Sequence, residues 1–196
     1  MYALLTLIVT ASFSPTAAAQ SIDPTVPITK VANPVTRVRT TDSRVREALA
    51  AGAAGSAAFR DVLRRVGSHD VIVYVEIERQ LRGRLAGVMK WVAATSHARY
   101  VRVALNPRLS GPLLIATLAH ELQHVAEIGE VPSVVDERTL SAFYRGVGNE
   151  RVADSEAWDT EAARLTGEVV RRELAASNLA ADQEPILVSR TSTGRQ

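Results

Sequence analysis

Apolar positions recur at helical spacing from Asp42 onward. Val45, Leu49, Ala53, Phe59, Leu63 and Val66 share one face of a helix that Asp42 or Ser43 can cap and Gly67 ends. Gly52 and Gly55 weaken its middle. The pattern then changes to strand-like. Val71–Ile77 is β-branched and aromatic, Leu85–Ala94 alternates around Val88, Lys90 and Val92, and Arg99–Leu105 sets Val101 and Val103 against Tyr100, Arg102 and Ala104. Short turns at Arg82-Gly83 and Thr95-Ser96-His97 predict a three-stranded antiparallel meander. Asn106-Pro107 ends the sheet. Ser110, with Pro112 just inside, opens a helix that runs to Ile128 and stops at Gly129. Two more helices are expected, over Asp136–Arg145 and Asp154–Ala175.

The flanks read differently. Tyr2–Phe13 is an apolar run too short to span a bilayer, followed by Pro15 and Ala17-Ala18-Ala19. This fits a secretory signal, residues 1–19, with cleavage after Ala19. Residues 20–41 carry Pro24, Pro27 and Pro34 and read as an extended linker, and residues 177–196 as a flexible polar tail. Residues 42–176 form the domain, of α+β class. The signal implies a secreted or periplasmic protein with no stable membrane insertion once it is removed.

Composition narrows the chemistry. The chain has 196 residues, a net charge of +2 and no cysteine. The absence of cysteine excludes disulfides, thiolate metal sites and a cysteine nucleophile. The basic surplus is too small and too evenly spread to point to nucleic acid.

One motif carries chemistry: His120-Glu121-Leu122-Gln123-His124, an H-E-x-x-H pentapeptide within the helix that opens at Ser110. Histidines four apart project from one helical face and can reach a single Zn²⁺ at about 2.0–2.1 Å. Glu121 lies about 100° around the helix, placed to take a proton from a zinc-bound water that the metal has acidified toward ~7. The preceding turns, Leu113–Ala119, are almost wholly apolar, so this His-Glu-His set sits on a buried helix and needs partners or a metal.

With these residues the sequence resembles the zincin metallopeptidases, over about residues 42–175. The resemblance implies a zincin-like fold with an N-terminal helix, a small sheet, the H-E-x-x-H helix and two further helices. It also implies an edge strand that binds an extended peptide or protein substrate. Strand 99–105, next before the motif helix, is the candidate. The implied activity is zinc-dependent hydrolysis of peptide bonds, with Glu121 as the catalytic base.

Zincins require a third ligand. The metzincin pattern fails, because Glu127 and Glu130 stand where it needs Gly and His, and no His follows His124. A downstream carboxylate, as in the gluzincins, is then implied: Glu127, Glu150, Asp159 or Glu161. Glu127 shares the helical face of both His. One straight helix does not easily wrap three ligands, so Glu127 suits a hydrogen bond to His124. Asp159 lies near Ala162, Ala163 and Thr166, whose small side chains would permit close helix packing, whereas Glu161 neighbours Arg164, Glu168 and Arg172 on a solvated face. The stretch Trp158–Ala163 also looks like a segment of small secreted bacterial proteins containing HELQH. Asp159 is therefore the expected third ligand with His120 and His124, and Glu161 and Glu150 remain alternatives. Tyr144 and His97 could donate to the oxyanion, though core packing and solvent exposure are their plainer roles. His69, Trp91, Trp158 and the pair Arg64-Arg65 read as structural or solvated.

Overall fold

The computed structural model describes residues 37–81, 85–147, 150–151 and 158–182. The signal, most of the linker, the Arg82-Gly83 turn, Asp154 and the chain after Asp182 lie outside the described residues. Eleven elements follow in order: β1 (Val38–Arg39), α1 (Ser43–Gly55), α2 (Ala57–Gly67), β2 (Val71–Ile77), β3 (Gly87–Ala94), β4 (Arg99–Leu105), α3 (Gly111–Gly129), α4 (Glu137–Val147), β5 (Glu150–Arg151), β6 (Trp158–Asp159) and α5 (Glu161–Asp182). The α+β class holds.

The sheet differs from the expected meander. It has four strands in the order β1-β2-β4-β3, with β1, β2 and β4 parallel and only β3 antiparallel to β4. β1 comes from residues read as linker and pairs Val38 with Val73. The reason lies in burial. β2 and β4 are near-continuous β-branched runs, suited to strands with neighbours on both sides, and Val71, Val73, Val101 and Val103 are fully buried. β3 carries Gly87, Met89 and Lys90, is mostly half-buried or exposed, and takes the edge. Strand 99–105 is thus central, and β3 and the two-residue β1 are the edge strands among the described residues.

The long N-terminal helix is two helices. Ser56 breaks it in an extended conformation (φ −138°, ψ 125°). Its hydroxyl accepts from the Phe59 amide at 3.0 Å and donates to Glu173 of α5 at 2.5 Å. Serine competes with the helical backbone through such local bonds, and the adjacent Gly55 makes the break cheap. Asp42 caps α1 as expected, accepting from the amides of Arg44 and Val45. Ser110 occupies the cap position of α3 but makes no side-chain cap bond. The first residue of that helix, Gly111, has φ +51°, which glycine adopts without strain.

The core lies between one face of the sheet and the helices: Val73, Val75, Val101, Val103 and Leu105 meet Val45, Phe59, Val62, Leu118, Leu122 and Val125. α3 runs through it, with 13 of its 19 residues buried, so its polar side chains must find partners inside the fold. The opposite sheet face is polar, with Tyr74, Arg102 and Lys90 in register across β2, β4 and β3. Among the described residues no helix is long and apolar enough to cross a membrane.

Arg99, at the head of β4, holds the C-terminal end of α3. It is 3% exposed, pairs with Asp70, and donates to the carbonyls of Ile128, Gly129, Val131 and Val134. A buried guanidinium with all these acceptors satisfies the carbonyls that a helix end leaves open.

Candidate metal centre

α3 places His120 and His124 one turn apart, their rings 5.0 Å between centroids and nearly perpendicular (81°). The third member arrives from the short strand β6. Asp159 Oδ1 lies 3.5 Å from His120 Nε2, and one ligand atom from each of His120, His124 and Asp159 falls within 4.8 Å of the others. Tetrahedral zinc with bonds near 2.0–2.2 Å separates its ligands by about 3.4 Å, so a small inward movement closes the set.

Two atoms test the fit. His124 Nε2 and Asp159 Oδ1 are buried and make no hydrogen bond. Unpaired buried acceptors are costly, and two of them converging with a third nitrogen are explained by a shared cation. The donor chemistry agrees: two imidazoles and a carboxylate suit zinc or a similar divalent ion. The His120-His124-Asp159 group can therefore bind a metal ion.

The way Asp159 reaches the site was not expected. It does not sit on a helix. Residues 158–160 are a strand and a cap, and α5 begins at Glu161, so the argument from a shared helical face with Ala162 and Ala163 does not apply. Small residues still matter one turn later. Ala163 is fully buried, and a Cβ on Gly167 would lie 3.2 Å from the Ala116 carbonyl and 3.5 Å from His120 Cβ, so α5 crosses α3 closely at the site. Glu161 is exposed at the first turn of α5, and the backbone of Glu150 pairs with Asp159 across the β5–β6 ladder.

Glu127 holds His124, as its position on the helical face implied. His124 Nδ1 lies 3.0 Å from Glu127 Oε2, while Glu127 Oε1 accepts from the Thr160 hydroxyl at 2.7 Å and from Gln123 Nε2 at 3.4 Å. Gln123 Oε1 in turn accepts from Arg65 Nη1 at 2.9 Å. Arg65, read as a solvated face residue, thus reaches the site's support, and its partner Glu130 lies beyond it.

Charge follows from these contacts. Burial and the neighbouring His124 hold His120 below the usual histidine range. His124 is also buried, but the Glu127 hydrogen bond and the surrounding carboxylates outweigh that and raise it. Burial opposes ionisation of Glu127, yet His124, Thr160 and Gln123 together keep it below its ordinary value. The carboxylates therefore favour positive charge at His124, while burial and that neighbour disfavour it at His120.

Glu121 lies against β3 at the Gly87 position. It is 4% exposed, and burial pushes its pKa up to about 7, with His124 and the Met89 backbone amide partly opposing. Gly87 of β3 lies against its side chain. Tyr144 donates from its hydroxyl to the His124 carbonyl at 3.3 Å and packs edge-on against the His124 ring, so it braces the ligand rather than facing open space. His97 is exposed and His69 packs against Gly129, both away from the cluster.

Sequence reasoning passed over Thr160, Gln123 and Gly87. A better helix start would have found the first: Thr160 precedes an acidic first turn and its hydroxyl accepts from the Ala163 amide, the pattern of an N-cap. No family model, curated protein or solved structure matches the chain.

Proposed function

We propose that the chain is a zinc-dependent metallopeptidase, secreted or periplasmic, that hydrolyses peptide bonds in an extended peptide or protein. The observation that carries the reading is the convergence of unpartnered His124 Nε2 and Asp159 Oδ1 with His120, beside a buried glutamate that is not one of the three ligands. When bound, zinc supplies Lewis acidity to a substrate carbonyl and acidifies a water molecule.

The chain's own residues supply the rest. Glu121, buried and next in sequence to His120, is the carboxylate available to take a proton. It accepts that proton from the attacking water as the new C–O bond forms, and gives it to the amine nitrogen as the C–N bond breaks. His120, His124 and Asp159 hold the metal, and Glu127 fixes the imidazole of His124. β3 supports the substrate assignment, because the outer edge of a terminal strand offers unpaired N–H and C=O groups to an extended backbone. Gly87 brings that strand against Glu121. Export rests on the apolar run and Ala17-Ala18-Ala19.

The test is digestion of a peptide library by zinc-loaded protein and by Glu121→Gln. Cleavage by the native chain alone is expected, abolished by a chelator. Equal cleavage by both would sink the mechanism. Stoichiometric zinc with no cleavage by either would instead favour a zinc-binding module that acts by binding a partner in the cell envelope.

A further inference from the structure

Thr160 is 6% exposed and stands between parts of the metal centre that come from distant stretches of chain. Its hydroxyl accepts from the Ala163 amide at 3.1 Å and donates to Glu127 Oε1 at 2.7 Å. A hydroxyl has one proton, so this geometry commits it to the carboxylate. The other oxygen of Glu127 faces His124 Nδ1 at 3.0 Å, and the residue immediately before Thr160 is Asp159. One continuous path therefore joins the two ligand-bearing segments: Asp159, Thr160, Glu127, His124.

Asp159 has need of such a tether. It lies in a two-residue strand, and its Oδ1 makes no hydrogen bond. Its ion pair to Arg164 is long, 3.9 Å, and that arginine side chain is 57% exposed. An exposed pair of this length contributes little positioning. Glu127, by contrast, is held from three sides, by Thr160, Gln123 and His124. A carboxylate fixed in this way would hold the proton on Nδ1 of His124 and leave the Nε2 lone pair available to a metal.

We infer that Thr160 is a positioning residue that registers Asp159 against His124 through Glu127, so that metal affinity depends on a hydroxyl that never touches the metal. The inference rests on the metal-site reading given above. Valine at this position would keep the side chain's bulk but lose the donor. Serine would keep the donor and the helix cap.

The experiment measures Zn²⁺ affinity of the full chain by competition with a chromogenic chelator, and the visible absorption of the Co²⁺ complex. Thr160→Val is expected to bind about 10–100-fold more weakly, with an altered Co²⁺ band, and Thr160→Ser to recover native affinity and spectrum. Thr160→Gly separates this role from capping, since glycine retains most of the cap's stability, and it should bind as weakly as the valine variant. The double variant Thr160→Val/Glu127→Gln should be no weaker than Glu127→Gln alone. Native affinity in both Thr160→Val and Thr160→Gly would overturn the inference while leaving the metal site intact. Absence of zinc binding by the native chain would overturn the metal site and this role together.

Discussion

Gly87 and Glu121 are in contact across the gap between the edge strand and the buried helix: a Cβ placed on Gly87 would lie 2.7 Å from Glu121 Oε1, 2.9 Å from Cγ and 3.0 Å from Cδ. No side chain fits there without moving the whole carboxylate. Because the obstructed group is a side chain and not backbone, the fold can yield, and the cost falls on where Glu121 points. Gly87→Ala is therefore expected to lower turnover by about 100-fold, the scale of an ångström's misplacement of a reacting group. Zinc affinity, set by the other face of α3, should stay at the native value. A variant with native turnover would show that Glu121 does its work from another position.

Metal binding should also be visible in stability. A ligand that binds only the folded chain stabilises it by about 4 kcal/mol at a thousandfold excess over its dissociation constant, which for a domain of this size is on the order of 10 °C in melting temperature. Zinc is expected to raise the melting temperature of the native chain, and a chelator to reverse it. His120→Ala and Asp159→Asn should lose most of the shift. An unchanged melting temperature in saturating zinc would contradict the assignment of these residues.

The parts of this fold that were legible in the sequence are those written in local patterns. The buried α3, its end at Gly129 and the spacing of His120 and His124 follow from helical periodicity. What escaped was set by partners distant in sequence. Ser56 breaks a helix because Glu173 meets it, 117 residues away. β4 pairs in parallel with β2 because both are buried runs, and periodicity says nothing of strand order. The helical pattern that suggests Asp159 does not exist at that residue, which lies in strand β6. Asp159 still converges with the histidines because α5, starting two residues later, packs onto α3 through Ala163 and Gly167.

That crossing makes Gly167 a second sensitive glycine. Its hypothetical Cβ meets the backbone carbonyl of Ala116 at 3.2 Å and His120 Cβ at 3.5 Å. Alanine gains about 1 kcal/mol of helix propensity there, offset by the tight contact, so Gly167→Ala should be near neutral in urea unfolding. Gly167→Val adds branched atoms against backbone that cannot swing away. It should destabilise by about 1–3 kcal/mol and weaken zinc binding through His120. Native stability and affinity in Gly167→Val would mean the helices can separate freely at this point.

Arg99 carries a large share of the C-terminal half of α3. Replacing it with Met removes the partner of Asp70 and strands four carbonyls, and should cost about 3–5 kcal/mol. Asp70 is the weaker side of the pair, its side chain 47% exposed. Its pKa is lowered chiefly by the Arg99 hydrogen bond, so its contribution is complete above the unfolded value near 3.9 and fades as pH falls through the lower folded value. Native protein and Asp70→Asn should accordingly differ by a constant amount from pH 5 to 7 and converge only below about pH 4. Convergence at higher pH would place the stabilising charge elsewhere.

Glu121 produces the opposite dependence. Burial raises its pKa to about 7, whereas in the unfolded chain it titrates near 4.3. The folded, metal-free chain therefore holds a proton that the unfolded chain has released, and stability falls as pH rises from about 4 to 7, by roughly 3–4 kcal/mol in all. Glutamine has no charge to desolvate and its amide oxygen can accept from the Met89 amide. Glu121→Gln should be indistinguishable from native at pH 4 and more stable by that amount at pH 8, measured by urea unfolding in chelator. Zinc should shrink the advantage, because a cation beside the carboxylate favours its ionised form. A variant that abolishes turnover while strengthening the metal-free fold would identify Glu121 as a residue kept for chemistry at the expense of stability. A variant less stable than native at pH 8 would show instead that the carboxylate is held by favourable contacts and that burial does not raise its pKa.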